Sequence, residues 1–89
     1  MNKVEINPDF KFKFETEKEL FNAQMSGYIE LCDVVRICIK YVGSKGSVDY
    51  PLKSREDYIK AIESYNNRED VEVLEVYQDK WFYDRNDYL

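Results

Sequence analysis

The chain has 89 residues, room for one domain that folds alone on a small core. Hydrophobic residues make up 44 % and aromatics 16 %, with a formal net charge of −5, which excludes whole-chain disorder. No stretch nears the roughly 20 apolar residues of a membrane span, and no basic-then-apolar leader opens the sequence, so a cytoplasmic protein is expected.

"FKFKFE" alternates, with Phe10, Phe12 and Phe14 on one side and Lys11, Lys13 and Glu15 on the other. Period two with one polar side predicts a first strand packed on one face. Val4 and Ile6 share the parity of those rings, with Pro8 as a break or an edge position. Thr16 then reads as an N-cap, completed by Glu19 as a capping box. Leu20, Phe21, Met25, Tyr28, Leu31 and Cys32 fall in one arc of a helical wheel, predicting a helix through Cys32. Gly27 inside that run is the alternative stop, leaving "YIELC" to begin a strand.

"VVRICIKYV" alternates again, with Val35, Ile37, Ile39 and Tyr41 inward and Arg36, Cys38 and Lys40 outward. The glycine-bearing "GSKG" and then "SVDYPL" make a hairpin, with Pro51 placing the second strand at an edge or at its own end. Ser54 is a second N-cap, with Glu56 and Asp57 favouring the helix dipole. Tyr58, Ile59, Ile62 and Tyr65 give the apolar stripe, and "NNRED" ends the helix, asparagine tolerating a left-handed cap. "VEVLEVY" is a strand, and "WFYDR" can fold back as one more.

The predicted order is βαββαβ over a single α+β domain, residues 1–89, with a possible extra C-terminal strand. That is the ferredoxin-like arrangement, an antiparallel sheet with two helices on one face. The other face is expected to carry Lys11, Lys13, Arg36, Cys38, Lys40 and Glu72. One competing arrangement keeps a long hairpin and a single helix across a curled sheet.

The sequence contains no histidine, which removes the commonest general base and metal ligand. Cys32 and Cys38 read as reduced core residues, and C-x5-C without histidine is a poor zinc site. Glu56/Asp57 and Glu69/Asp70 adjoin helix ends, where capping explains them. "GSKG" joins two strands, so it is a hairpin loop rather than a phosphate loop. No catalytic, cofactor or metal residues are therefore expected.

Residues 1–53 hold 8 acids and 8 bases, whereas residues 54–89 hold 10 acids and 5 bases. The second half lacks the basic surface that phosphate neutralisation requires, and the rings near Arg36 are expected on the opposite sheet face, so no direct nucleic-acid partner is expected. Acids interleaved with tyrosine and tryptophan suit a protein interface. Glu75, Asp79, Trp81, Tyr83, Asp84, Asp87 and Tyr88 are the candidate partner-binding residues, with Phe82 expected to pack inward.

Phe, Tyr, Met, Ile, Asn and Lys outweigh Gly, Ala, Arg and Pro, a bias of AT-rich genomes. The expected function is a non-enzymatic inhibitor from a phage or mobile element. It would block a basic groove of a host nucleic-acid-handling defence enzyme, such as a CRISPR effector. The alternatives are a small-molecule-binding homodimer, with Arg36, Lys45 and Tyr50 meeting an anion, or a self-assembling structural component.

Overall fold

Strand β1 (Glu30–Tyr41) is the spine of the molecule. Its β-branched Val34, Val35, Ile37 and Ile39 suit a pleated and doubly covered surface. A computed structural model describes residues 3–83. Around β1 lie α1 (Glu17–Met25), β2 (Val48–Leu52), α2 (Arg55–Asn66) and β3 (Val71–Tyr83). β2 and β3 flank β1 in a three-stranded sheet of order β2-β1-β3, antiparallel throughout. The class is α+β, but the order is αββαβ rather than the ferredoxin-like βαββαβ.

The first predicted strand is the missing element. Phe10 and Phe12 are half-buried and Phe14 is buried, while Lys11, Lys13 and Glu15 are exposed. The alternation thus reported burial correctly. The segment is nevertheless an extended strap held mostly by side chains; its ladder contact among the described residues is an isolated bridge from Phe14 to Ser54, beside which the Arg55 and Glu56 N–H groups donate to the Phe14 and Glu15 carbonyls. Asn66 exchanges two hydrogen bonds with the Val4 backbone at 2.9 and 2.8 Å, and the Asn7 N–H donates to the Tyr58 hydroxyl at 2.8 Å. Gln78 does the same for the Lys11 backbone. Phe10 and Phe12 close on the Tyr58 ring at 5.5 and 5.7 Å. Lys11 and Lys13 therefore stand on the strap and not on a sheet strand.

Helix α1 opens as expected, with the Glu19 N–H donating to Thr16 Oγ1 at 3.1 Å. It stops at Met25, because Gly27 takes φ +85°, a conformation that breaks helical propagation. The buried face is also rotated from the wheel reading. Leu20 and Gln24 are buried, whereas Phe21 and Met25 are exposed.

The hairpin is present, and Pro51 sits in the edge strand β2 opposite Arg36. Helix α2 is capped by Ser54, whose Oγ accepts from the Asp57 N–H at 3.1 Å. Its C-cap Asn67 has φ −96°, so the helix ends without the expected left-handed residue. The Asn67 amide donates instead to the Glu63 carbonyl. β3 runs unbroken through Trp81 and Phe82, so "WFY" continues the strand and no separate hairpin strand follows within the described residues.

The ladder from Glu30 to Cys38 is uninterrupted, so neighbours on β1 point to opposite faces. Both Val34 and Val35 are fully buried, so β1 is covered on both sides at that point. Val35, Ile37 and Ile39 pack with Leu52 and with Tyr58 and Ile62 of α2. Cys32 and Val34 pack with Phe14 and with Leu20 of α1. The helices thus serve opposite faces, a correction to the expected two-on-one layering. Each fully buried aliphatic contributes about 2 kcal/mol of apolar burial. Among the described residues no helix is long and apolar enough to cross a membrane.

Candidate functional site

Beyond the patch under α1, no helix among the described residues lies over the face of the sheet that carries Arg36 and Cys38. The register brings Glu75, Tyr77, Asp79 and Trp81 of β3 to this face, opposite Cys38, Arg36, Val34 and Cys32. Asp49 of β2 stands across from Cys38 on the other side. A bulge at the Cys38/Ile39 step leaves Leu74 as the extra residue on β3. Glu72, opposite Lys40, shares the face as expected.

Arg36 is the hub. Its Nε lies 2.8 Å from Asp49 Oδ1 and 3.8 Å from Asp79 Oδ2. The Tyr77 hydroxyl donates to Asp49 Oδ2 at 2.7 Å. That hydrogen bond, more than burial or the Asp49 charge, pushes the Tyr77 phenol above its ordinary pKa. The Trp81 ring has the Arg36 guanidinium 5.3 Å and the Lys53 ammonium 5.1 Å from its centroid, both within cation–π range. An acid–aromatic strand is thereby locked to its neighbours by charge.

Of the expected partner-binding residues, Glu75, Asp79 and Trp81 come together here, and the Tyr83 backbone continues the same register. Asp84, Asp87 and Tyr88 lie outside the described residues. Phe82 reverses the expectation. It is 54 % exposed, whereas Trp81 packs beside Val34 and Cys32. The sheet face at that end is covered by α1 on the Trp81 side and not on the Phe82 side. Sequence alternation can pair such residues but cannot say which side is covered.

Rings also share the Arg36 face, contrary to the expectation that they point away. Arg36 is held by Asp49 and Asp79, so the carboxylates that bracket it oppose a phosphate. Arg36 and Tyr50 stand on opposite faces, since Tyr50 pairs with Ile37, so Arg36, Lys45 and Tyr50 do not converge on an anion within one copy of the chain. Cys32 is buried and Cys38 half-buried, both as free thiols.

A second cluster escaped the sequence reading. The N-termini of the two helices meet, with the Glu17 N–H donating to Glu56 Oε1 at 3.0 Å, Arg55 paired to Glu15 at 3.0 Å and Lys60 to Glu17 at 3.4 Å. Asp57 is pushed up to about 7 by burial first, then by its hydrogen bond to Glu17 and the Glu17 charge. Glu17 is held below its ordinary value, chiefly by that same hydrogen bond. The protonation of Asp57 is therefore coupled across the helices to Glu17, while the Glu17 backbone N–H is taken by Glu56. Forty positions of separation left no sequence signal for it. Carboxyls with displaced protonation are common at acid–base sites, but here they sit where hydrogen bonds and ion pairs join two helix ends.

No protein-family model matches the chain, and no curated protein and no solved structure matches it.

Proposed function

We propose that the chain is a non-enzymatic protein-binding module whose acidic and aromatic sheet face engages a basic surface. The observation that carries this reading is the run Glu75, Tyr77, Asp79 and Trp81 on one face of β3, with Glu75 and Asp79 exposed and Tyr77 and Trp81 half-buried. Pre-ordered rings lose little conformational entropy on binding, and carboxylates at their flanks steer a basic partner. Arg36 and Lys53 support the Trp81 ring from within the face and keep it in place. In its concrete form, the partner is a nucleic-acid-handling enzyme, such as a CRISPR effector of a bacterial host. The module, encoded by a phage or mobile element, acts as its inhibitor by occupying the nucleic-acid groove.

The test is affinity capture from a low-GC bacterial lysate, with captured proteins challenged by duplex DNA and by single-stranded RNA. A groove-directed inhibitor gives a captured nucleic-acid-binding enzyme that either polymer displaces. A captured partner that nucleic acid leaves in place contradicts the groove reading.

A further inference from the structure

β3 is an edge strand, bonded to β1 on one side only among the described residues. Along its other side run two cavities of about 360 and 340 Å³ that share Val4 and Val73 as walls. The first is bordered by every residue from Val71 to Val73 and the second by every residue from Val73 to Val76. Side chains of consecutive strand residues point to opposite faces. Alternation resumes on either side of the Leu74 bulge, so a groove bordered by Val71, Glu72 and Val73 and again by Glu75 and Val76 follows the strand's edge, where backbone N–H and C=O groups point outward. The strap at Val4 and the α2 rings of Tyr58 and Tyr65 form the opposite wall.

The charge of the groove is one-sided. Glu5, Glu69, Glu72 and Glu75 border it and, among the described residues, no lysine or arginine does; all four are exposed. None of them takes part in an ion pair among the described residues. We infer that the outer edge of β3 is a strand-addition site for an extended segment of a partner polypeptide that carries lysine or arginine at alternate positions. Backbone pairing to an open edge supplies the affinity, and the flanking side chains supply the selectivity. Valine walls at Val4, Val71 and Val73 receive the apolar alternates, and the glutamates receive the basic ones. A second copy is a poorer occupant, because β3 against β3 sets acidic edges side by side and like charges across a ladder repel.

This goes beyond the proposed function: edge and face share Glu75 but are otherwise different surfaces of β3, and because the Glu5→Lys and Glu69→Lys changes below leave Glu75 in place, failure of either leaves the other standing. The experiment is amide hydrogen exchange on the full chain with the acetylated, amidated peptide Lys-Val-Lys-Val-Lys-Val. The expected result is slowed exchange at the outward-facing amides of residues 71–76, alternating on each side of the Leu74 bulge and not across it. It is absent with the glutamate counterpart Glu-Val-Glu-Val-Glu-Val, and absent when the lysine peptide is N-methylated throughout. Glu5→Lys with Glu69→Lys, both at exposed positions, is expected to weaken lysine-peptide binding roughly tenfold. No protection on β3, or protection that survives N-methylation, overturns the site. Protection that rises with protein concentration in the absence of peptide assigns the edge to a second copy and also overturns it.

Discussion

Val34 and Val35 are neighbours in β1, point to opposite faces, and are both completely buried. A sheet with both helices on one side would leave one of them in solvent. Val34→Ala and Val35→Ala should therefore each cost on the order of 2 kcal/mol, read from urea denaturation. A neutral Val34→Ala would mean that α1 does not cover that face.

The difference between these two valines also measures how far the sequence could be read. Val35, Ile37 and Ile39 alternate with charged or polar residues, so period two exposed them as core. Val34 shares parity with Arg36, Cys38 and Lys40, so the alternation alone does not mark it as core. Its burial is decided by α1 and Phe14, which arrive from far along the chain. The same limit explains the strap: Phe10, Phe12 and Phe14 were legible as buried, but alternation reports which side is covered and not whether a backbone ladder forms. Both N-caps and the hairpin were legible because their chemistry is local. On the site, alternation could place Asp79 and Trp81 together, while the Arg36–Asp49 and Glu17–Asp57 pairings depend on tertiary register.

Ser54 is a cap with a second task. It is fully buried, accepts the Asp57 N–H, and lies beside Phe14 in the bridge that fastens the strap. Ser54→Ala should cost roughly 1–2 kcal/mol, the upper part of the capping range. Thr16→Ala, at a half-exposed cap, should cost less. Equal losses in paired urea titrations would remove the special place given to Ser54.

Gly27 ends α1 at φ +85° with no atom near an added Cβ. The loss in Gly27→Ala is therefore conformational, about 1 kcal/mol. Gly46→Ala, also in open space and without a left-handed φ, serves as its control and should be close to neutral. Thermal unfolding of the two variants separates backbone strain from crowding.

The Glu17–Asp57 pair gives a signed pH dependence. Asp57 is raised to about 7 in the folded chain, while in the unfolded chain it loses its proton near pH 4. Between those values the folded state holds the extra proton, so its contribution to stability falls as pH rises toward about 7. Glu17 is shifted the other way; its contribution is present above its unfolded pKa and is lost only at lower pH. Asp57→Asn should flatten the decline in Tm between pH 5 and pH 8. An unchanged decline in that variant would place its origin in another group.

The most direct test of the binding account is capture from lysate with wild-type bait and with bait carrying Glu75→Lys and Asp79→Lys. Both are exposed positions on β3, and Arg36 keeps its shorter 2.8 Å pair with Asp49 when Asp79 is replaced; urea denaturation of both baits checks that the fold is retained. The account predicts a nucleic-acid-binding protein held by the wild type at low salt. That protein should be released as ionic strength screens the contact and should not be held by the charge-reversed bait. A partner retained equally by both baits, and at high salt, would contradict it.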